Sequence, residues 1–388
     1  MTPLLFLLLP VAATCGWYMG QRLSRNQANK ISPKIRRDYF KGLNYLINEQ
    51  PDKAVDVFVK LLEVDSDTVE THLALGSLFR RRGEVDRAIR VHQNLIARPT
   101  LAKAHRLHAL SELGQDYLRA GVLDRAERLF LELVNLGDDD KQLSLRFLLH
   151  IYQQEKDWLK AIETAQKLLA LGEPVSDIIA QYHCELAEQL IDTDHASTAL
   201  PYLKRAQQID HNCIRASMIR ARLEYKSGRY KEAIRYYKQA IDQDPDYISE
   251  IVTPLSHCYQ QLGEVDKLIA YLEDCLEKHP RISLVLEIST YLQHQQGDKM
   301  AIEFIARQIQ HQLSLRGLSR LVELYLLNAS GDTHEKLLIL QNFMQKLLAD
   351  KPVYRCTHCG FSGKTLYWLC PSCQRWNMIK PIQGLEGS

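Results

Sequence analysis

The chain has 388 residues with a formal charge of +2, 46% hydrophobic and 25% charged side chains, the balance of an ordinary folded protein, which excludes wholesale disorder. Gly and Pro together make up about 8% of it, below the ~12% of average usage, which excludes collagen-like, low-complexity and turn-dense all-β architectures. The 49 basic and 47 acidic residues nearly cancel, so no global field advertises a nucleic-acid or acidic partner.

Residues 3–20 carry no charged side chain, and 18 such positions are at the short edge of what crosses a ~30 Å hydrocarbon core. Trp17 and Tyr18 close the run as interfacial anchors. A cleaved signal peptide would carry Lys or Arg before its apolar core, and here only Met-Thr-Pro precedes it. The same missing basic region argues against a lipoprotein acylated on Cys15. Arg22, Arg25, Lys30, Lys34, Arg36, Arg37 and Lys41 follow, against Asp38 alone. The positive-inside rule then puts the rest of the chain in the cytoplasm. Residues 1–20 read as an uncleaved transmembrane anchor and 21–34 as a basic juxtamembrane linker, able to rest on anionic headgroups at about 1 kcal/mol per basic residue.

Small residues next recur in pairs twelve apart: Gly42 with Ala54, Gly76 with Ala88, Gly114 with Ala126, Ala187 with Ala199, and Ala221 with Ala233. Leu149 with Ala161 keeps the spacing but loses the first small residue. The second members advance by 34, 38, 35, 38 and 34 residues, the period of the tetratricopeptide repeat. Each unit is two antiparallel helices whose small side chains let the backbones approach while larger ones fill the grooves. Tyr45, Tyr117, Tyr152 and Tyr259 sit three residues after the first position or its equivalent; Phe58, Phe130 and Tyr237 sit one turn after the alanine. Pro245 and Pro280 stop two of the second helices. Residues 283–348 read as helical, with only Gly297 where a turn glycine belongs. The expectation is a solenoid over 35–349 with eight or nine helix pairs, the last ones degenerate. Such a solenoid binds proteins on its concave face and very rarely catalyses. Arg80, Arg81, Arg82, Arg215, Arg220 and Arg222 are read as exposed candidates for meeting an acidic partner.

Four of the nine cysteines crowd the C-terminus: Cys356, Cys359, Cys370 and Cys373, spaced C-x2-C-x10-C-x2-C. Each C-x2-C pair forms a knuckle aiming two thiolates at one ion, and four soft sulfurs suit tetrahedral zinc or iron. Gly360 allows a positive φ after the first knuckle, and Pro371 stiffens the second. So small a module (352–384) cannot build an adequate core, and a single metal ion must supply most of its folding energy. Phe361, Tyr367, Trp368 and Trp376 read as an aromatic cluster beneath the site or a docking face against the last helices. Lys351, Arg355, Lys364, Arg375 and Lys380 against Glu386 are a modest basic excess, and nucleic-acid binding is not expected. Cys15, Cys184, Cys213, Cys258 and Cys275 are scattered singly, which fits reduced thiols in a reducing compartment.

No phosphate-binding loop, dinucleotide fingerprint, nucleophile elbow or metalloprotease helix motif occurs. His183 with Cys184 and His257 with Cys258 point about 100° apart on a helix and are not set for proton transfer. No enzyme is expected. The order of anchor, basic stretch, repeats and terminal CTHCGF…LYWLCPSCQRW resembles the lipopolysaccharide assembly protein B family along the whole chain. The resemblance implies an all-α tetratricopeptide-repeat superhelix with a rubredoxin-like four-cysteine module and an N-terminal transmembrane helix, held at the inner membrane and facing the cytoplasm. It implies that Cys356, Cys359, Cys370 and Cys373 are metal ligands. It also implies an adaptor that promotes degradation of the deacetylase LpxC by the membrane protease FtsH and is restrained by an inner-membrane regulator. Two other readings of the residues are a membrane-tethered co-chaperone for unrelated clients, and a helical scaffold carrying a redox or RNA-binding metal module.

Overall fold

The computed structural model describes residues 40–45, 47–48, 50, 53–55, 57–58, 69–136, 141–193 and 196–385. The expected anchor (1–20) and juxtamembrane linker (21–34) lie outside the described residues. Among the described residues no helix is long and apolar enough to cross a membrane. The chain divides into two compact units, Met1–Lys156 and Asp157–Ser388.

In unit 1, helical residues at 40–45, 53–55 and 57–58 are followed by α1 (Val69–Arg81), α2 (Val85–Ile96), α3 (Lys103–Arg119), α4 (Leu123–Asn135) and α5 (Lys141–Glu155). Their amphipathic spacing explains why they are helices. On α2 the buried residues are Ala88, His92 and Leu95, and on α4 they are Ala126, Phe130 and Leu133. Each set is a one-sided i, i+4, i+7 stripe. Unit 2 continues with α6 (Trp158–Ala170), α7 (Ser176–Asp192), α8 (Ala196–Ile209), α9 (Ile214–Lys226) and α10 (Tyr230–Gln243). A short 3-10 turn at Pro245–Tyr247 leads into α11 (Ile248–Gln261) and α12 (Val265–Lys278). Then come α13 (Ile282–Gln296), α14 (Asp298–His311), α15 (Leu315–Asn328) and α16 (Asp332–Asp350). The first helix of a pair is buried on more than one side: α9 buries nine of its 13 residues, Ile214 to Ile219, Ala221, Leu223 and Glu224.

The twelve-residue pairing is the point of closest helix approach. Ala54, Ala88, Ala126, Ala187, Ala199, Ala221 and Ala233 are all fully buried. A Cβ placed on Gly42 would lie 2.8 Å from the Phe58 ring, on Gly114 2.7 Å from Phe130, and on Gly76 2.3 Å from His92. The aromatic one turn after the alanine therefore occupies the space that the small residue leaves. The register also runs further than the sequence reading followed it. Ser289 and Ala301, again twelve apart, are both fully buried, with Ile305 in the ring position. Serine in the first slot hides this unit from a search for Gly or Ala.

The turns repeat as well. Seven residues after the first position, Gly83, Gly121, Gly228 and Gly263 have φ between 68° and 83°. In each the next amide reaches back five residues, as in Glu84 N–H to the Phe79 carbonyl at 2.9 Å and Val122 N–H to the Tyr117 carbonyl at 2.9 Å. This closes the carbonyls left open at the helix end. Lys156 fills the same place with φ 57° and no glycine. Gly331 (φ 62°) joins Gly297 as a second turn glycine in the 283–348 stretch.

After α16 the backbone changes character. Strands β1 (Tyr354–Cys356), β2 (Ser362–Gly363) and β3 (Ile379–Pro381) form an antiparallel sheet in the order β2-β1-β3. The register pairs Arg355 with Ser362 on one side and with Lys380 on the other.

Candidate metal centre and its docking platform

Two turns carry the four cysteines. In the first, Gly360 N–H donates to the Cys356 carbonyl at 3.0 Å, and Gly360 has φ 78°. In the second, Gln374 N–H donates to the Cys370 carbonyl at 2.9 Å, and Gln374 has φ 54°. The knuckles are the same turn built twice, once with glycine and once with a residue that bears the strain. The sequence disclosed both knuckles but the left-handed residue of the first alone. The β1–β3 pairing and a bridge between Leu369 and Trp376 bring the two turns face to face.

The four Sγ atoms lie within 4.8 Å of one another. Cys356 to Cys373 is 3.8 Å and Cys359 to Cys370 is 3.6 Å. A tetrahedron with metal–sulfur bonds of ~2.3 Å has edges of about 3.8 Å, whereas a disulfide brings sulfurs to ~2.05 Å. The donor set fits one zinc or iron ion, and the sulfur spacing belongs to a coordination shell. The Phe361 amide, donating to the Cys359 sulfur, pulls that thiol down to about 6. Desolvation, reinforced by the neighbouring sulfurs, pushes Cys373 up to about 12. Four thiols this close oppose one another's ionisation, and a divalent cation removes that conflict. His358 is exposed and stands outside the shell.

Of the two readings of the module's aromatics, Phe361 and Tyr367 meet each other edge-on at 6.5 Å within the module, while the two tryptophans dock, but not on the last helices. Trp376, nearly buried, meets Trp158 of α6 edge-on at 6.2 Å between centroids and Tyr182 of α7 at 5.8 Å. Trp368 stacks on Tyr247 at 5.3 Å. Aromatic pairs of this kind add about 0.5–1.5 kcal/mol each beyond their area burial. Polar contacts ring them. The Tyr247 hydroxyl donates to the Ile379 carbonyl at 3.0 Å, and Tyr354 donates to Glu250 at 2.7 Å. Lys380 reaches Asp244 at 2.9 Å and Asp246 at 2.7 Å, so it is spent inside the protein and leaves the basic set considered for nucleic acid. Burial pushes the Tyr182, Tyr247 and Tyr354 hydroxyls well up, so all three stay neutral, Tyr247 and Tyr354 as donors and Tyr182 as the partner of Trp376. Leu385, beyond the sheet, returns to α15, where its carbonyl accepts from Leu315 N–H at 2.9 Å.

Arg215 is the centre of this platform, and it corrects the reading of an exposed arginine. It is 2% exposed and lies 5.6 Å from the Trp368 ring and 5.9 Å from the Trp376 ring. Its guanidinium pairs with Glu185 and Glu188 of α7 and donates to Gln181. Burial alone would weaken its charge, but Glu188 and Glu185 more than offset this and raise its pKa. Arg220 is likewise engaged, by Gln207 and the Tyr236 hydroxyl. Arg80 in unit 1 is held by Glu112 and Asp116 at 2.8 Å each. Arg81, Arg82 and Arg222 are exposed, as expected. Beside Arg215 the structure brings together two cysteines that seemed isolated, Cys184 and Cys213, with sulfurs 3.8 Å apart. Burial keeps the Cys184 thiol well above its ordinary value.

Repeated helix pairs with a four-sulfur knuckle module folded onto them define a tetratricopeptide-repeat scaffold carrying a metal-binding domain. Residues 354–381 match the family described as rubredoxin metal binding domain, and residues 71–106 and 215–247 each match the tetratricopeptide repeat. The chain is 40% identical over 389 residues to lipopolysaccharide assembly protein B of Escherichia coli (strain K12) and 35% identical over 396 residues to that of Haemophilus influenzae, covering 100% of each chain in both cases. Among solved structures, the C-terminal part of a TPR repeat-containing protein from Cytophaga hutchinsonii aligns with 62% of this chain and 95% of its own, at 15% identity and a TM-score of 0.42. The chain belongs to the lipopolysaccharide assembly protein B family.

Proposed function

We propose that this protein is a non-catalytic adaptor of the inner membrane that regulates lipopolysaccharide synthesis by promoting FtsH-dependent proteolysis of LpxC. In this reading residues 1–20 anchor the chain, 21–34 form the basic linker, 35–349 form the partner-binding solenoid, and 352–384 the metal module. Cys356, Cys359, Cys370 and Cys373 hold one zinc or iron ion with a structural role. The bulk of the chain faces the cytoplasm, and an inner-membrane regulator restrains it. The observation that carries the reading is the full-length identity to proteins named for lipopolysaccharide assembly. Tethering supplies the mechanism: an anchor confines a bound client near a membrane protease and raises its effective concentration without new contacts. The metal chemistry is the stabilising of a fold too small to hold itself.

The test is the half-life of LpxC in cells depleted of this protein and complemented with the full chain or with a form lacking residues 1–20, both at native abundance. The full chain should restore rapid turnover and the truncated form should not. Undiminished turnover with the truncated form would sink the tethering step, and no change on depletion would sink the client assignment.

A further inference from the structure

Unit 1 contains a cavity of about 740 Å³ against α1, α3 and α5, within the roughly 300–1,000 Å³ typical of binding pockets. Counted from the first position of each repeat (Gly76, Gly114, Leu149), its lining residues recur. Gln115 and His150 stand one residue on, and Arg81, Arg119 and Gln154 stand five on. The cavity is thus a repeated stripe of one helix face. Its charge is one-sided. Arg81 and Arg119 are exposed, and among the described residues neither is paired with a carboxylate. Arg80 also lines it but is committed to Glu112 and Asp116, which stand behind it and are not among the lining groups. Burial lowers the His150 pKa, so the positive charge at neutral pH rests on the arginines. Leu118 and Phe147 add apolar surface between them, and the Gln115 and Gln154 amides are engaged inside the fold, the first by Glu112 and Arg80 and the second by His150.

We propose that this cavity is a recognition site for an acidic segment of a partner protein. Two exposed guanidiniums one repeat apart, without a carboxylate partner among the described residues, suit successive carboxylates, and the leucine and phenylalanine suit an intervening apolar side chain. A nucleic acid fits less well. Phe147 is stacked on Phe130 at 4.8 Å, so one face of its ring is taken, and the His150 imidazole holds Gln154, which leaves a poor platform for a run of bases. The register adds a second argument. In unit 2 the metal module covers the opposite end of the corresponding stripe, at Tyr182, Arg215 and Glu250, five or six residues before the first position. The stripe one to five residues after it is the part that the chain's own module does not use. This deepens the adaptor reading by naming the chemistry of a partner. It is tested on the cavity itself, so the client assignment above and this site can fail separately.

The test uses the full chain in detergent micelles and a fluorescein-labelled peptide of repeating Asp-Leu-Glu, read by anisotropy at two salt concentrations. The control peptide carries Asn and Gln in place of the acids. Binding should favour the acidic peptide and weaken with salt, and Arg81→Gln with Arg119→Gln should reduce affinity roughly tenfold, since each of the two exposed charge pairs is worth up to about a fivefold factor. The melting temperature of this double variant should match that of the parent, because neither side chain is paired with a carboxylate among the described residues, and Arg81→Lys with Arg119→Lys should keep most of the affinity. Equal binding by the Gln variant, or no preference for the acidic peptide, would overturn the proposal. So would tighter binding of oligouridylate or of phosphatidylglycerol vesicles that the same variant abolishes, which would assign the cavity to another class of ligand.

Discussion

Unit 1 and unit 2 use the same device and finish it differently. In each, an arginine is held by two carboxylates of a neighbouring first helix: Arg80 by Glu112 and Asp116, Arg215 by Glu185 and Glu188. The Arg80 side chain keeps 16% of its surface and borders an open cavity, whereas the Arg215 side chain keeps 3% and lies against two tryptophans. A paired arginine therefore does not by itself decide whether a repeat face is a groove or an interface. What decides is whether the chain supplies a cover, and in unit 2 the metal module does. In unit 1 one of the two carboxylates is shared with a buried imidazole. His92 takes the place that Phe58 and Phe130 hold at equivalent positions, and its Nδ1 lies 2.6 Å from Asp116, both side chains fully buried.

The sharpest way to break this contrast is to remove the cover. Cys370→Ser with Cys373→Ser should abolish metal content by elemental analysis and undo the module's fold, since structural zinc in small modules contributes on the order of 10 kcal/mol. Tryptophan emission should shift to the red as Trp368 and Trp376 leave Tyr247 and Tyr182, while amide exchange in α1 to α4 should not change. Full metal retention would refute the site.

Arg215→Met keeps the volume and leaves Glu185 and Glu188 without their partner. It should cost about 3–5 kcal/mol, seen as faster exchange over 157–385 and not over 69–136. If both units loosened equally, the assignment of Arg215 to the module interface would be wrong.

A third effect is set by pH. Desolvation, with Arg205 adding to it, pulls the His183 pKa down to about 4, against ~6.5 in an unfolded chain. The folded state therefore binds fewer protons, so this stability is complete above about pH 6.5 and is lost as pH falls toward 4, by up to about 3 kcal/mol. Denaturant titrations of His183→Gln should show a flatter pH dependence in that window, and an unchanged slope would remove His183 from the account.

Smaller effects probe the repeat itself. Gly114→Ala drives a methyl into the Phe130 ring and should cost about 1–3 kcal/mol, and Gly114→Ala with Phe130→Leu should recover part of it. Lys156→Gly relieves a left-handed lysine and should gain up to about 1 kcal/mol. A loss on thermal melting would show that the lysine side chain contributes more than its backbone costs.

The repeat register was legible because it is local. Two residues twelve apart on adjoining helices meet whatever else the chain does, so Gly42, Gly76 and Gly114 announce their partners at Ala54, Ala88 and Ala126. The unit at Ser289 and Ala301 escaped because a hydroxyl small enough to serve is not in the expected alphabet. The four-cysteine spacing was legible for the same reason, since each knuckle closes within five residues. Arg215 was misread as an exposed contact because its cover arrives from residues 368 and 376, about 150 positions away.

The amino-acid sequence by itself determined the helix pairs, most of their turns and the sulfur set, all of them consequences of contacts within one repeat or one knuckle. Only the tertiary structure decided that the module lies on α7, α9 and the turn before α11 instead of the last helices, that Cys184 meets Cys213, and that one repeat face is covered while another carries an open basic cavity. Those outcomes depend on which distant surfaces lose water together, a choice made by shape and charge complementarity between segments that sequence spacing does not relate.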